Sequence, residues 1–285
     1  MSFGVPYQLN LQGKLLDLST PQVMGIINVT TDSFFTGSRF ISEKEILQQA
    51  EKALSEGASV LDIGAYSTRP NATPVSEQEE VERLQVALKA ITSHFSDVFL
   101  SVDTFRSNVA RFAVEHFGVH IINDVSGGSL DNQMFNTVAQ LGVVYVLMHM
   151  RGTPETMQQM TDYEHITSDI IQYFEKKIAQ LVHLGVKDVI VDPGFGFAKT
   201  LEQNYEILSK LSYLKELDFP ILAGISRKSM IYKLLDISPD DALNGTTVLN
   251  TLALINGANI LRVHDVKEAV EAVKIVQQYL NPHSK

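Results

Sequence analysis

The feature of this sequence that most constrains its fold is an alternation of element types. Short runs rich in Val, Ile and Leu recur at 23–28, 59–64, 98–103, 119–124, 143–149, 188–192, 220–226 and 259–264. They are nearly continuous in apolar residues, as strands buried on both faces of a parallel sheet are. Longer segments with helix signals lie between them. Ser42 with Glu45 and Ser76 with Glu79 have the spacing of capping boxes. Ser238 before Pro239, and Asp265 with Glu268, mark two further helix starts. Gly57, Gly118, Gly142, Gly185 and Gly257 each follow an amphipathic segment, where a helix ends on a left-handed residue. Strand-then-helix units repeated in this way predict an α/β fold, the (β/α)8 TIM barrel. A doubly wound sheet would place a phosphate-binding glycine turn after its first strand, and no G-x-G-x-x-G stands there. Residues 1–20 alternate polar and apolar around Gly13 and predict an N-terminal β-hairpin closing the bottom of the barrel.

A chain of 285 residues could hold two ordinary domains or one large barrel. No linker composition divides it, so 1–285 is expected to be a single domain, with the barrel over 22–275. The chain has no Cys, which removes thiolate nucleophiles and Cys-bound zinc. Lys and Arg number 23 against 33 Asp and Glu, a formal charge of −10. That balance argues against nucleic-acid and anionic-membrane partners. No basic stretch followed by an apolar run opens the sequence, and the run 143–150 is far shorter than the ~20 residues of a membrane span. A cytoplasmic protein is the expectation.

In such barrels active sites form at the C-terminal ends of the strands. The polar residues there are Asn28, Asp62, Asp103, Asn123, Asp124, Asp192, Lys228, Arg262 and His264. Asp103, Asn123 and Asp192 suit a ligand edge rich in N–H groups, such as an aminopyrimidinone. Arg69, Lys228, Arg262 and His264 are cationic donors of the kind a phosphate or carboxylate requires. Asn28 is a hard oxygen ligand compatible with Mg²⁺. Some of these positions also have structural readings. Asp62, inside its strand, and Asp124 could each make an internal hydrogen bond. Met148 and Met150 read as packing residues, His149 as surface chemistry beside Arg151, and Glu79, Glu80 and Glu82 as a solvated helix face. Two loops of about ten residues, 30–40 and 66–75, follow the first two strands and read as lids or substrate loops.

The segments at these strand ends resemble the signatures of the dihydropteroate synthase family. GIINVTTDSF from Gly25 and LDIGAYSTRP from Leu61 are similar to its first two motifs. SVDT from Ser101, INDVSGG from Ile122, MHM from Met148, DPGFGF from Asp192, SRKS from Ser226 and RVHDV from Arg262 follow in the family's order. The resemblance implies condensation of (7,8-dihydropterin-6-yl)methyl diphosphate with p-aminobenzoate, giving 7,8-dihydropteroate and diphosphate for folate synthesis. It implies a cytoplasmic, sulfonamide-targeted homodimer using Mg²⁺. Carried over by position, Asp103, Asn123, Met148, Asp192, Phe197, Lys228 and Arg262 would hold the pterin. Phe34, Thr68, Arg69, Pro70, Phe197 and Ser229 would hold p-aminobenzoate. Asn28, Thr68, Arg69, Arg262 and His264 would hold diphosphate. Asn28 would bind the metal, and Asp32 would organise the cation site. Asn28, Asp32, Asp103, Lys228, Arg262 and His264 form the implied catalytic set. Two positions depart from the family pattern: Ala65-Tyr66 stands where Gly-Glu is usual, and Thr31 where Pro is usual.

No G-x-S-x-G or H-E-x-x-H motif announces a protein nucleophile or catalytic zinc. A pterin-dependent methyltransferase would share Asp103, Asn123 and Asp192 but should lack the Ser67-Thr-Arg-Pro loop and the Ser226-Arg-Lys cluster. A Schiff-base aldolase would use Lys228, but nothing in the sequence visibly lowers that lysine's pKa. A degenerate homologue that only binds pterin would rest on Tyr66.

Overall fold

The computed structural model describes residues 7–30, 42–66 and 74–282. Strands β1 (Gln8–Leu11) and β2 (Lys14–Asp17) form the expected hairpin. They pair antiparallel with Leu11 opposite Lys14, so Gln12 and Gly13 make a two-residue turn. Both turn residues have positive φ, 54° and 93°, as the tightest hairpin turns require.

Eight parallel strands follow: β3 (Gln22–Asn28), β4 (Val60–Gly64), β5 (Phe99–Asp103), β6 (Ile121–Asp124), β7 (Val144–Met148), β8 (Val189–Asp192), β9 (Leu222–Ala223) and β10 (Ile260–Val263). They hydrogen-bond in the order β8-β7-β6-β5-β4-β3-β10-β9, and a parallel bridge between Val191 and Ile221 closes the ring. The outer layer is α1 (Glu43–Ser55), α2 (Glu77–His94), α3 (Ser107–Phe117), α4 (Met134–Leu141), α5 (Ile166–His183), α6 (Leu201–Ser209), α7 (Ser229–Leu235), α8 (Leu243–Ile255) and α9 (Val266–Leu280). Short 3-10 turns lie at Met157–Gln159 and Leu211–Leu217. The fold is a TIM barrel. Its least regular strand is β9, two residues long where the sequence predicts seven.

The helix signals hold in part. Ser42 and Glu45 form a full capping box. At Ser76 only half forms: the Ser accepts from the Glu79 amide, but the Glu79 carboxylate is drawn to Arg83 at 2.7 Å. Ser238 and Pro239 lie in a turn, and α8 starts only at Leu243. Asp265 precedes α9 without a side-chain cap, because its carboxylate takes a two-pronged contact from Arg227. Gly57, Gly118, Gly142, Gly185 and Gly257 all have the expected positive φ.

Along each strand, side chains alternate between the barrel interior and the helix layer. Val23, Ile27, Leu61, Ile63, Leu100, Val102, Ile122, Tyr145, Leu147 and Val191 pack outward in the large core beneath the helices. The alternate positions Met24, Val60, Ile121, Val144, Val146, Ile190, Leu222 and Ile260 form a second, inner cluster at the bottom of the barrel. Leu9, Leu11, Leu16 and Leu18 of the hairpin complete it. The bottom of the barrel is thus a closed apolar plug, which leaves the top free for polar groups.

Leu11 is fully buried in that plug, whereas Leu15, on the same hairpin, is 64% exposed. Leu11→Ala should cost about 2–5 kcal/mol in urea denaturation, and Leu15→Ala within roughly 0.5 kcal/mol of zero. Equal costs would remove the hairpin's role as a plug.

Candidate active site at the barrel mouth

The same alternation that builds the plug delivers the polar residues. Continuing upward on the inner face from Met24, Val60, Ile121, Ile190 and Ile260 brings the chain to Asn28, Asp62 and Gly64, Asn123, Asp192 and Arg262. The parallel register sets Asn28 beside Gly64, Gly64 beside Asp103, and Asp103 beside Asn123. Four consecutive strands therefore present one row of positions to the interior at one height.

Arg262 crosses this interior. Its Nε donates to Asp62 Oδ2 at 2.6 Å and its Nη2 to Asp103 Oδ2 at 2.7 Å. Asn123 Nδ2 donates to the same Asp62 oxygen at 3.0 Å. Asp62 is completely buried, and its Oδ1 has no hydrogen-bond partner. Asp62 thus makes the internal hydrogen bonds that one reading of it expects, holding both Arg262 and Asn123. Burial pushes the Asp103 carboxyl up to about 7, against the pull of Arg262.

On the opposite side, Asp192 Oδ1 accepts from the Gly194 amide at 2.7 Å. Burial raises the Asp192 carboxyl, with Lys228 pulling the other way. Lys228 Nζ donates to the Phe195 carbonyl at 2.6 Å and lies 4.8 Å from the centre of the Phe197 ring. Burial lowers its amine to about 8, although Asp192 favours the charged form. That depression comes from burial, which has no local signal in the sequence. A Cβ on Gly224 would stand 3.7 Å from both Asp192 Oδ2 and Lys228 Nζ, so this glycine keeps the space between them open. Lys228 follows Arg227, a non-glycine residue with φ of 54°. Such a backbone costs on the order of 1–3 kcal/mol and persists only where neighbours enforce it. Here the enforcers are Asp265, the Pro239 and Asp240 carbonyls and the Thr246 hydroxyl, all bonded to Arg227.

His264 Nδ1 lies 3.0 Å from Ser226 Oγ, which also accepts from the His264 amide at 3.2 Å. Ser229 opens α7 directly after Lys228. Met148 is buried beside Val125, Met150, Met157 and Ala198, with Phe197 against the cluster, so both methionines pack. Beside Asn28, a Cβ on Gly64 would stand 3.6 Å from Asn28 Oδ1 and 3.7 Å from Asp103 Cβ. The glycine leaves a hollow next to that oxygen. Thr31, Asp32, Phe34, Thr68, Arg69 and Pro70 lie outside the described residues.

Two expectations fail, those for Glu80 and His149. Glu80 is not solvated: it is fully buried, bonded to Thr104 at 2.6 Å and paired with Arg106. Arg106 also donates to the Val75 carbonyl at 2.8 Å, and Arg83 donates to the Ala65 carbonyl at 3.2 Å. The two arginines hold both ends of the second loop. Tyr66 packs edge-on to Phe105 at 5.1 Å, with the Arg106 guanidinium 5.3 Å from its ring centre. Asp124 serves structure, accepting from Ser126, Gly128 and Tyr145. His149 is buried rather than on the surface, 4.8 Å edge-on from Tyr173 and 3.0 Å from Lys199 Nζ. Lys199, the partner of His149, is not among the residues the sequence singles out. Its signal was its place at the end of the loop that follows Asp192.

Comparison with known proteins agrees with this geometry. Residues 24–264 match the family model described as pterin binding enzyme. The dihydropteroate synthase of Escherichia coli is 40% identical over 276 residues, covering 96% of this chain and 97% of that one. A Yersinia pestis dihydropteroate synthase solved with a sulfonamide drug superposes with a TM-score of 0.90 at 42% identity, covering 96% of this chain and all of that one. A Xanthomonas albilineans dihydropteroate synthase solved with 4-aminobenzoic acid gives 0.88 at 35% identity, covering 97% of this chain and 99% of that one. With both sequence and structure matching over nearly the full length, the chain belongs to the dihydropteroate synthase family of pterin-binding enzymes.

Proposed function

We propose that this protein joins (7,8-dihydropterin-6-yl)methyl diphosphate to p-aminobenzoate at the mouth of the barrel, releasing diphosphate. The observation that carries this reading is the convergence of Asp103, Asn123 and Asp192 with Lys228 and Arg262 on one interior surface. The carboxylates and the Asn123 carbonyl can accept from the amino and ring N–H groups of an aminopyrimidinone. Lys228 can donate to its carbonyl oxygen. The Arg262 guanidinium is planar and held at both ends, which suits it to lie against a flat ring.

The reaction breaks a C–O bond to diphosphate and forms a C–N bond to the amine. Arg262 and His264 stabilise negative charge on the leaving group. Asp103 and Asp192 hold the pterin and favour the positive charge that develops on it as the bond breaks. The p-aminobenzoate nitrogen is neutral at pH 7, so it needs no strong general base and loses its proton after attack. Catalysis is then chiefly orientation and electrostatics. Asn28 and its hollow fit Mg²⁺, which typically takes few protein oxygens and fills the rest of its shell with water and phosphate. When bound, the ion supplies charge neutralisation for diphosphate. Phe197 and Ser229 are assigned to the p-aminobenzoate side; the resemblance adds Phe34, Thr68, Arg69 and Pro70 to that role, Thr68 and Arg69 to the diphosphate role, and Asp32 to the cation site.

The protein is proposed to act as a homodimer. Leu234 and Leu235 on α7 and Val248, Leu252 and Ile255 on α8 are between 42% and 56% exposed. On α8 they recur at i, i+4 and i+7, a single apolar stripe. Light scattering should give a dimer for the wild type and a monomer for the Val248→Asp, Leu252→Asp double variant. A monomeric wild type would refute this part.

Diphosphate release should depend strictly on p-aminobenzoate in a coupled assay. Release without it would indicate hydrolysis instead. Pterin binding should be bell-shaped in pH. Ligand N–H groups favour ionised Asp103, so affinity rises as pH climbs through about 7. A ligand carbonyl favours charged Lys228, so affinity falls above about 8. Asp103→Asn should cost about 1.5–3 kcal/mol, roughly 10- to 150-fold in Kd, and abolish the acidic limb. Calorimetric titration across that range showing an unchanged limb would reassign it.

A further inference from the structure

Lys199 is 4% exposed and makes no direct ion pair among the described residues, although the nearby Asp192 charge favours its charged form. Its Nζ lies 2.9 Å from the Gly194 carbonyl, 2.9 Å from the Phe197 carbonyl, 3.0 Å from His149 Nδ1 and 3.4 Å from the His149 carbonyl. A lysine buried without a direct ion pair is uncommon and costly unless its donors are fully used. Here they are used, and every contact goes to the loop after β8 or to His149, the residue that follows β7.

That loop, 193–198, could not hold its shape unaided. Gly194, Gly196 and Ala198 have φ of 69°, 83° and 50°. A Cβ at Gly194 would fall 2.2 Å from the His149 carbonyl, so loop and strand end approach as closely as backbone allows. The approach brings the carbonyls of His149, Gly194 and Phe197 toward one point. Their dipoles repel unless a donor stands between them, and Lys199 Nζ stands there. The loop in turn supplies three elements of the pterin side: the Gly194 amide on Asp192, the Phe195 carbonyl on Lys228, and the Phe197 ring beside Lys228.

We propose that Lys199, with His149 as its side-chain hydrogen-bond partner, is a positioning residue for the pterin side of the site, clamping the 193–198 loop against the chain just past β7. The inference rests on the proposed function for the identity of the ligand, but the clamp itself does not. Either protonation state fits: a charged amine donates to both carbonyls and to Nδ1, and a neutral one donates to the carbonyls and accepts from Nδ1. Burial lowers both groups from their usual values, in keeping with their isolation from water.

Two measurements on the full-length protein test this. The first is hydrogen exchange at the Gly194, Gly196 and Phe197 amides, which needs no ligand. Lys199→Met and His149→Leu should raise exchange there by about tenfold or more, while His149→Asn, which keeps an acceptor near the Nδ1 position, should stay close to wild type. The second is the Kd for the dihydropterin diphosphate. It should rise about tenfold in the two loosened variants and recover in His149→Asn. If Lys199→Met does not fold, the two His149 variants decide. Unchanged exchange overturns the clamp. Loosened exchange with unchanged pterin affinity reduces Lys199 to a stability residue and overturns the positioning role. A wild type that binds no dihydropterin diphosphate would instead refute the ligand assignment, and the exchange result would still decide the clamp.

Discussion

The site depends first on a charge held inside the barrel. Arg262 lies across the interior with Asp62 on its Nε and Asp103 on its Nη2. A buried guanidinium is tolerable only when paired, and removing one partner of such a pair costs about 3–5 kcal/mol because the other is left uncompensated. The pairing also fixes geometry. Asp62 binds Asn123 as well, so one carboxylate oxygen orients residues from β6 and β10 together. With Asp192 and Lys228 included, carboxylates outnumber cations by one in a space shielded from water. Burial raises Asp103 most, the negative charge of Asp62 adds to it, and a ligand offering N–H donors relieves the cost.

The opposite wall is built differently. Asp192 and Lys228 are set by backbone groups of one loop, the Gly194 amide and the Phe195 carbonyl, rather than by other side chains. Backbone partners cannot rotate away, but they are only as steady as the loop that carries them. Lys228 is constrained a second time by the left-handed Arg227 before it, which Asp265 holds in place. One wall is thus fixed by ion pairs on strands and the other by a braced loop.

Much of this was legible in the sequence, for a physical reason. Strand period two and the parallel register are local rules, so Asp103, Asn123, Asp192 and Arg262 could be assigned to one end of the barrel from their positions alone. The same rule puts Asp62 on the inner face, two residues before Gly64, where it makes its internal hydrogen bonds to Arg262 and Asn123. Pairing across 200 residues is not local, and neither is burial. Glu80 stands among acidic neighbours on α2 and is indistinguishable from them until Arg106 and Thr104 close over it. His149 follows a strand and precedes Arg151, which suggests surface, yet Tyr173 and Lys199 cover it. Asp265 has the spacing of a helix cap, but a bidentate arginine outcompetes a backbone amide for its carboxylate.

The division of the barrel into an apolar floor and a polar ceiling explains how such a site is sustained. Buried carboxylates, a buried lysine and a strained Arg227 all cost stability at the mouth. The plug below, sealed by Leu9, Leu11, Leu16 and Leu18, offsets that cost without touching the chemistry. The same separation reconciles the net charge of −10 with anionic substrates. Exposed acids such as Glu77 and Glu82 sit on outer helices, screened over about 8 Å by physiological salt. Lys228 and Arg262 face a low-dielectric interior where screening is weak. Local field, not net charge, therefore decides what enters the mouth.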